Sequence, residues 1–425
     1  MRIKTAAMIV ASSGLALTTA HSATQPKQVV TGPVAEYWMD TTTRTGFALG
    51  GGKPSMGSMM STMMGGGDKV HHDLKLELSS KTAATGEAKA DHFVPSALGM
   101  GASLPLYFKT TPTKPGKVEE GPGTHTYDPP KGKILIYWGC GEKARPGQPV
   151  VVDLSKLTAT DARLAEFQKL TASTVKINTV VGPLPSTSTT YGEWPNVKHN
   201  KGLPGQSSIA GAHTIKGNYS PDIAFNLTPQ QDFMAPLELT SNAPVASGAV
   251  NLAWNAVGNS TGYFASTIGG DGNTFVFWSS SEAQAGLMAM SLMADYLPPA
   301  EAQRLVTQKV LLSPQTTTCA VPAEVYKAAP QSMLSLTAFG GETNLSYPPR
   351  PTDLKVPWNI QWTVKVRYRS STGGLLGQSM QDMMGGAQAE AESEASSSAK
   401  PEEKKKKKSM LGDMIKEGVK SKIGF

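Results

Sequence analysis

The chain has 425 residues, with 43 Gly, 30 Pro and only 17% charged residues, a length that buries a large core and divides into two or more domains rich in turns. Its net charge of +7 sits at the two ends: Arg2 and Lys4 at the start, and a net of +5 from Lys400 to Phe425. Residues 5–399 are formally neutral, which is not the footprint of a nucleic-acid-binding domain, so no nucleic-acid partner is expected. Met1 to Lys4 forms a short basic region, Ala6 to Leu17 an apolar run, and Thr18 to Ala23 a set of small residues. That order predicts a secretory signal peptide over residues 1–23, since a membrane-spanning helix needs about 20 apolar residues.

An N-terminal β-rich domain is predicted over residues 24–231. Gln28 to Phe47 reads as two short strands, and residues 50–67, rich in Gly, Ser and Met, as a flexible loop. Leu74, Leu76 and Leu78 alternate with Lys75 and Glu77, the pattern of a half-buried strand. Lys133 to Trp138 is apolar on both faces, as expected of a central strand, and Pro149 to Leu154 follows as another. Thr160 to Leu170 carries one apolar stripe at helical spacing. From Leu184 to Gly211 the sequence is turn-rich and irregular.

A second domain is predicted over residues 232–372, and its densest signal runs from Leu237 to Ser281. Val250, Leu252 and Trp254 alternate with Asn251 and Ala253. Tyr263 to Ile268 and Thr274 to Trp278 are rich in aromatic and β-branched residues, and Gly269 to Asn273 supplies the hairpin turn between them. A Trp within Leu252-Ala253-Trp254-Asn255, a small polar link, and Gly262-Tyr263 opening the next strand resemble a fibronectin type III module. The resemblance covers roughly a tenth of the chain, and Trp278-Ser279-Ser280 departs from it. It implies a sandwich architecture and carries no function with it. Pro298-Pro299 then opens a short helix, Ala300 to Val306. From Trp358 to Arg369, Trp, Ile, Val and Tyr alternate strictly with polar residues, the cleanest strand in the chain. The expected fold is thus mainly β: two β-sandwich-like domains, a few short helices, and a disordered tail over residues 373–425.

Four groups of residues offer chemistry. Cys140 and Cys319 are the only cysteines, and two readings stay open. An oxidising compartment favours a disulfide, which would close a loop worth about 5 kcal/mol of chain entropy. The competing reading is a nucleophilic Cys140, for which no neighbouring base is visible. Met60, Met63 and Met64, near His71 and His72, form a soft ligand set suited to Cu(I), against the simpler reading of Met as apolar filler. Trp194, in Tyr191-Gly192-Glu193-Trp194-Pro195, is the best surface aromatic for a ligand, whereas Trp254, Trp358 and Trp362 sit on the apolar parity of their strands. At the C-terminus, Lys404, Lys405, Lys406, Lys407 and Lys408 precede a basic amphipathic pattern over residues 409–424 with Lys416 and Lys420, which reads as an anionic-surface contact or as a solvated tail. No Gly-x-Ser-x-Gly, His-Glu-x-x-His or phosphate loop is present.

Together these features predict an exported periplasmic or envelope-associated protein, leaning to a non-catalytic binding or structural role. Its partners would be envelope components, with anionic membrane reached through the tail, and no cofactor is expected. An extracytoplasmic glycan hydrolase and a periplasmic copper-handling protein are the alternatives.

Overall fold

The computed structural model describes residues 28–46, 70–108, 132–153, 175–271, 273–284 and 296–378. The first strands in chain order are β1 (Val30–Thr31), β2 (Ala35–Thr45), β3 (Val70–Ser80), β4 (Ala90–Phe93), β5 (Ser103–Leu106) and β6 (Lys133–Trp138). They are followed by β7 (Val150–Asp153), β8 (Thr190–Trp194), β9 (Gly211–Gly217), β10 (Ile223–Leu227), β11 (Leu239–Pro244) and β12 (Val250–Trp254). The last are β13 (Gly262–Gly270), β14 (Thr274–Ser279), β15 (Thr318–Val321), β16 (Met333–Tyr347), β17 (Trp358–Asn359) and β18 (Trp362–Leu375). Two short helices, α1 (Pro299–Thr307) and α2 (Ala323–Ala328), flank β15.

The fold is mainly β and layered. A nine-stranded mixed sheet runs in the order β7-β6-β14-β13-β16-β18-β2-β3-β8. Two of its pairings are parallel, β6 with β14 and β18 with β2. Smaller sheets, β10-β9-β4-β5 and β11-β12-β15, accompany it, with a parallel ribbon of β1 and β17. Hydrogen-bonded pairing crosses the expected domain boundary at residues 231–232. β2, β3, β6, β7 and β8 come from before it, and β13, β14, β16 and β18 from after it.

Period-two alternation explains the layers. Tyr37 and Met39 of β2, Leu74, Leu76 and Leu78 of β3, Leu334 and Leu336 of β16, and Val364 and Val366 of β18 face one side of the large sheet. The same core holds Ile215 and Ile223 from the four-stranded sheet and Val250, Leu252 and Trp254 from the three-stranded one. The opposite side divides in two. Near β6, β13 and β14 it is apolar, with Ile136, Phe264, Phe277 and Phe339 in one cluster with Ala302 and Leu305 of α1. Near β18, β2 and β3 it is charged. Each Leu- or Phe-sized side chain fully buried this way contributes roughly 1.5–3 kcal/mol.

Several expectations are revised. Trp358 to Arg369 is not one strand: the ladder breaks between β17 and β18, and β18 runs on to Leu375. Trp358 is only half-buried, donating its indole N–H to the Pro348 carbonyl at 2.9 Å. Within the stretch read as irregular, Thr190–Trp194 forms β8, because its alternating partners lie on β3, far away in sequence. The helical stripe at residues 160–170, the loop at 50–67 and everything after Gln378 lie outside the described residues, as does the predicted signal peptide.

Cys140 and Cys319 are joined by a disulfide, their Cα atoms 5.3 Å apart. The bond ties the loop after β6 to β15, and with it the three-stranded sheet to the large one. It removes the nucleophile reading of Cys140.

Trp254 lies between the sheets, 3% exposed, its ring centroid 5.6 Å from that of Tyr263. Its indole nitrogen is buried with no hydrogen-bond partner among the described residues. Trp254→Ala should cost about 3–5 kcal/mol in thermal or denaturant unfolding through the cavity it leaves. Trp254→Phe should cost clearly less, because it also removes the unpaired donor. A melting shift within error of wild type for the Ala variant would place Trp254 outside the core.

Candidate functional site

The charged half of the large sheet is a lattice of side chains from β2, β3, β8, β16 and β18. At its centre Asp40 and Arg367, register partners across the parallel β2/β18 pairing, form a bidentate pair with both contacts at 2.6 Å. Burial works against the Arg367 charge, but the hydrogen bonds and charge of Asp40 outweigh it and raise the guanidinium above its ordinary range. Arg44 holds Asp73 through both carboxylate oxygens. Lys75 bonds Glu77 at 2.7 Å, and Lys365 bonds Glu342 at 2.7 Å. The Tyr191 hydroxyl lies 2.9 Å from Glu77 Oε1 and 3.2 Å from Glu193 Oε2. Burial, with Glu77 and Glu193 beside it, holds that phenol well above the usual tyrosine range.

Part of the lattice is roofed. Arg367 donates to the Val180 carbonyl at 2.9 Å and stacks 4.7 Å from the rings of Trp38 and Tyr296. Arg369 lies 5.0 Å from the same Tyr296 ring, whose hydroxyl shares a 2.7 Å hydrogen bond with Thr42. Burial pushes the Tyr296 phenol up to about 12. Gly182 passes so close that a Cβ there would lie 2.7 Å from Glu77 Oε2, so only glycine fits without moving the carboxylate. The roofing segment is anchored by α1. Glu301 accepts from the Asn178 backbone at 2.8 Å, and Arg304 donates to both Glu301 oxygens and to the Lys176 carbonyl. Those Arg304 bonds are the main reason the Glu301 carboxyl titrates at about 2.

Beside the roof a cleft of about 760 Å³ opens, within the usual range for ligand sites. Its walls include Asp40, Thr42, Asp73, Lys75, Glu193, Lys201, Tyr296, Arg367 and Arg369. Burial raises the Asp73 carboxyl, against the opposing pull of Arg44. A smaller cleft of about 450 Å³ lies near Asp232, Phe233, Glu342 and Tyr368.

On the core side of β2 runs a second polar network. Tyr37 lies 2.8 Å from His92 Nδ1, His92 Nε2 lies 2.8 Å from His213 Nδ1, and His213 Nε2 lies 2.7 Å from the Ile209 carbonyl. A carbonyl only accepts, so His213 must carry its proton on Nε2. Its Nδ1 then accepts from His92 Nε2–H, and His92 Nδ1 accepts from the Tyr37 hydroxyl. Every donor in this buried row is matched only while both imidazoles are neutral. Burial, and then the neighbouring His213, holds His92 well below the ordinary histidine range, and burial lowers His213 as well.

Few of the residues singled out from sequence meet here. Trp194 packs in the core opposite Leu76 and, though it borders the cleft, is only 2% exposed, so it presents little of its ring to a ligand. It sits in a strand whose pairing hides it, not in a loop. His71 and His72 are consecutive on β3 and point to opposite faces, so strand geometry sends them apart. His72 stacks on Phe233 at 4.1 Å. Met60, Met63 and Met64 lie outside the described residues, as do Lys404 to Lys408, Lys416 and Lys420. Among the described residues no group of three His, Cys, Asp or Glu side chains is placed to hold a metal ion. Asp40, Arg44, Tyr296 and Arg367 were not singled out by sequence reasoning. For Asp40, Arg44 and Arg367 the signal was charge on one parity of β2 and β18, which also describes a water-facing strand; Tyr296 lies outside any strand and carried no such signal.

No family model, curated protein or solved structure matches the chain.

The histidine row sets a pH dependence. Both folded values lie below the unfolded one, so the unfolded chain binds more protons in acid and stability is lost as pH falls through about 6.5. Unfolding midpoints should be flat above about pH 7 and fall below it, by up to about 1.4 kcal/mol per pH unit for each histidine. His92→Gln should flatten that slope. A midpoint unchanged between pH 7 and pH 5 would show that the row accepts a proton at no cost.

Proposed function

We propose that this chain is an exported protein of the cell envelope that binds or links envelope components without transforming them, with the cleft over the charged lattice as its binding surface. The observation that carries the reading is the bidentate Asp40–Arg367 pair at the cleft, flanked by Arg44–Asp73 and Lys75–Glu77. Charges held this way are preorganised to orient a polar ligand, and their partners restrain them from acting as bases or nucleophiles. The basic and apolar N-terminus supports export, and the Cys140–Cys319 bond suits an oxidising compartment. The lysine-rich tail supplies the contact with anionic membrane, each Lys near such a surface contributing about 1 kcal/mol at low salt.

Co-sedimentation of the full chain with cell-wall polymer, and separately with anionic vesicles, tests both contacts. Lys201→Glu, an exposed change in the cleft wall, should weaken the polymer contact about tenfold and leave the vesicle contact intact. A chain stopped after Ser398 should lose vesicle binding and keep the polymer. Failure to bind any envelope fraction would sink the proposal.

A second reading, a glycan hydrolase, is favoured by one observation: Asp40, Asp73 and Glu193 line the same cleft, and burial raises the Asp73 carboxyl toward an acid's role. Glycan turnover by the wild type that Asp73→Asn abolishes would select it over the binding reading.

A further inference from the structure

We propose that the cleft takes an extended polypeptide strand along the edge of β3, and that its occupant is residues 387–395 of this same chain. The inference rests on the reading of the cleft as a binding site.

Four consecutive residues of β3, His72 to Lys75, line the cleft. Successive side chains of a strand point to opposite faces. A cleft that touches all four therefore runs along the edge of the strand, not over one face. That edge is open. β3 pairs with β2 from Val70 to Ser80, but with β8 only from Leu76 to Ser80. At Trp194 the neighbouring strand ends, and Asn196 holds the turn that follows by donating to the Pro105 and Glu193 carbonyls, both at 2.9 Å. Among the described residues no strand lies beside the outward N–H and C=O groups of residues 70–75. An unpaired edge of this kind is a template for one more strand.

The two sides of the edge specify what fits. On the core side Leu74 and Trp194 are 3% and 2% exposed, with Leu203 packed against the same core, so a new strand finds room there only for small side chains. On the other side the cations Lys75, Lys201, Arg367 and Arg369 outnumber the carboxylates Asp40, Asp73 and Glu193 in the cleft lining, which leans that side toward acidic groups. The occupant should alternate small with acidic residues at period two. Residues 387–395 read AQAEAESEA, with Ala or Ser at every odd position and Gln or Glu at every even one.

Distance permits the contact. The described chain ends at Gln378, and the nine residues from there to residue 387 span up to about 30 Å when extended. β18 also runs toward the open half of β3. Ser371 pairs with Arg44, and Arg44 with His71, so β2 alone separates the two strands, a lateral distance of about 10 Å. Seating the glutamates in the cleft would also remove their neutralising charge from the lysines that follow.

Hydrogen exchange on the full chain tests the inference, comparing wild type with an Ala389→Pro, Ala391→Pro double variant, since proline donates no ladder hydrogen bond. Amides of residues 71–75 that point away from β2 should exchange at least about tenfold more slowly in the wild type. A peptide of residues 385–397 added to the variant should restore protection, and a shuffled peptide of equal composition should not. Equal exchange in wild type and variant, or equal rescue by the shuffled peptide, overturns the proposal. If cell-wall polymer slows exchange at residues 71–75 while the proline changes have no effect, the tail is the wrong occupant and the binding cleft stands.

Discussion

The Asp40–Arg367 pair is the interaction on which the middle of the molecule depends. It joins strands whose residues are 327 positions apart and lie side by side in parallel, so no local turn sets their register. The pair sets it chemically. A slip of one residue would move Asp40 opposite Val366 or Tyr368 and turn the apolar side chains of one strand to the wrong face. Desolvation offsets much of the attraction in such a pair, so its net stabilisation is small. Removing one partner still leaves a buried charge, at a cost of roughly 3–5 kcal/mol. The pair therefore acts on which pairing forms more than on how stable it is.

From that register the rest of the polar face follows. Once Arg367 is opposite Asp40, Arg369 is opposite Thr42, and β3 brings Asp73 opposite Thr42 and Lys75 opposite Asp40. Arg44 then reaches Asp73 diagonally, and the lattice closes with opposite signs adjacent. A face of this kind can be buried only under groups that accept hydrogen bonds or stack on cations. The roof supplies both: the Val180 carbonyl for Arg367, and the Tyr296 ring between two guanidinium groups. Gly182 gives the approach its tightness. The cleft is what remains where the roof stops short of the sheet's edge.

The strands were legible from sequence wherever one face of the sheet is apolar. Leu74-Lys75-Leu76-Glu77-Leu78 and Val364-Lys365-Val366-Arg367-Tyr368 announce their period without help. What the pattern does not carry is the destination of the polar residues. Glu77 and Arg367 read as water-facing in the same way as Lys75, which is exposed, because alternation separates two faces and is silent on whether the second is solvent or another layer. Arg367 is 8% exposed and Glu77 4%. The same limit explains Trp194: its neighbours Tyr191, Gly192 and Glu193 look like a turn until Leu76 to Ser80 is placed beside them. The single large sheet was hidden for a related reason. Its parallel pairings join β6 to β14 and β2 to β18 across long separations, and nothing within a window of ten residues records such a partner.

β2 is held from both sides by networks of different character. On one face Asp40 requires a charge, that of Arg367. On the other Tyr37 begins a row that requires neutrality, since a proton added to His92 or His213 would set donor against donor. The two demands are compatible because the strand separates them: Tyr37 and Asp40 are three residues apart, on opposite faces. The histidine side opposes acid, because burial holds both imidazoles below the ordinary histidine range. The four-stranded sheet meets the large one through that row, for His92 lies on β4 and His213 on β9. Mild acid thus acts on the contact between the four-stranded sheet and the large one, so these layers should loosen as pH falls.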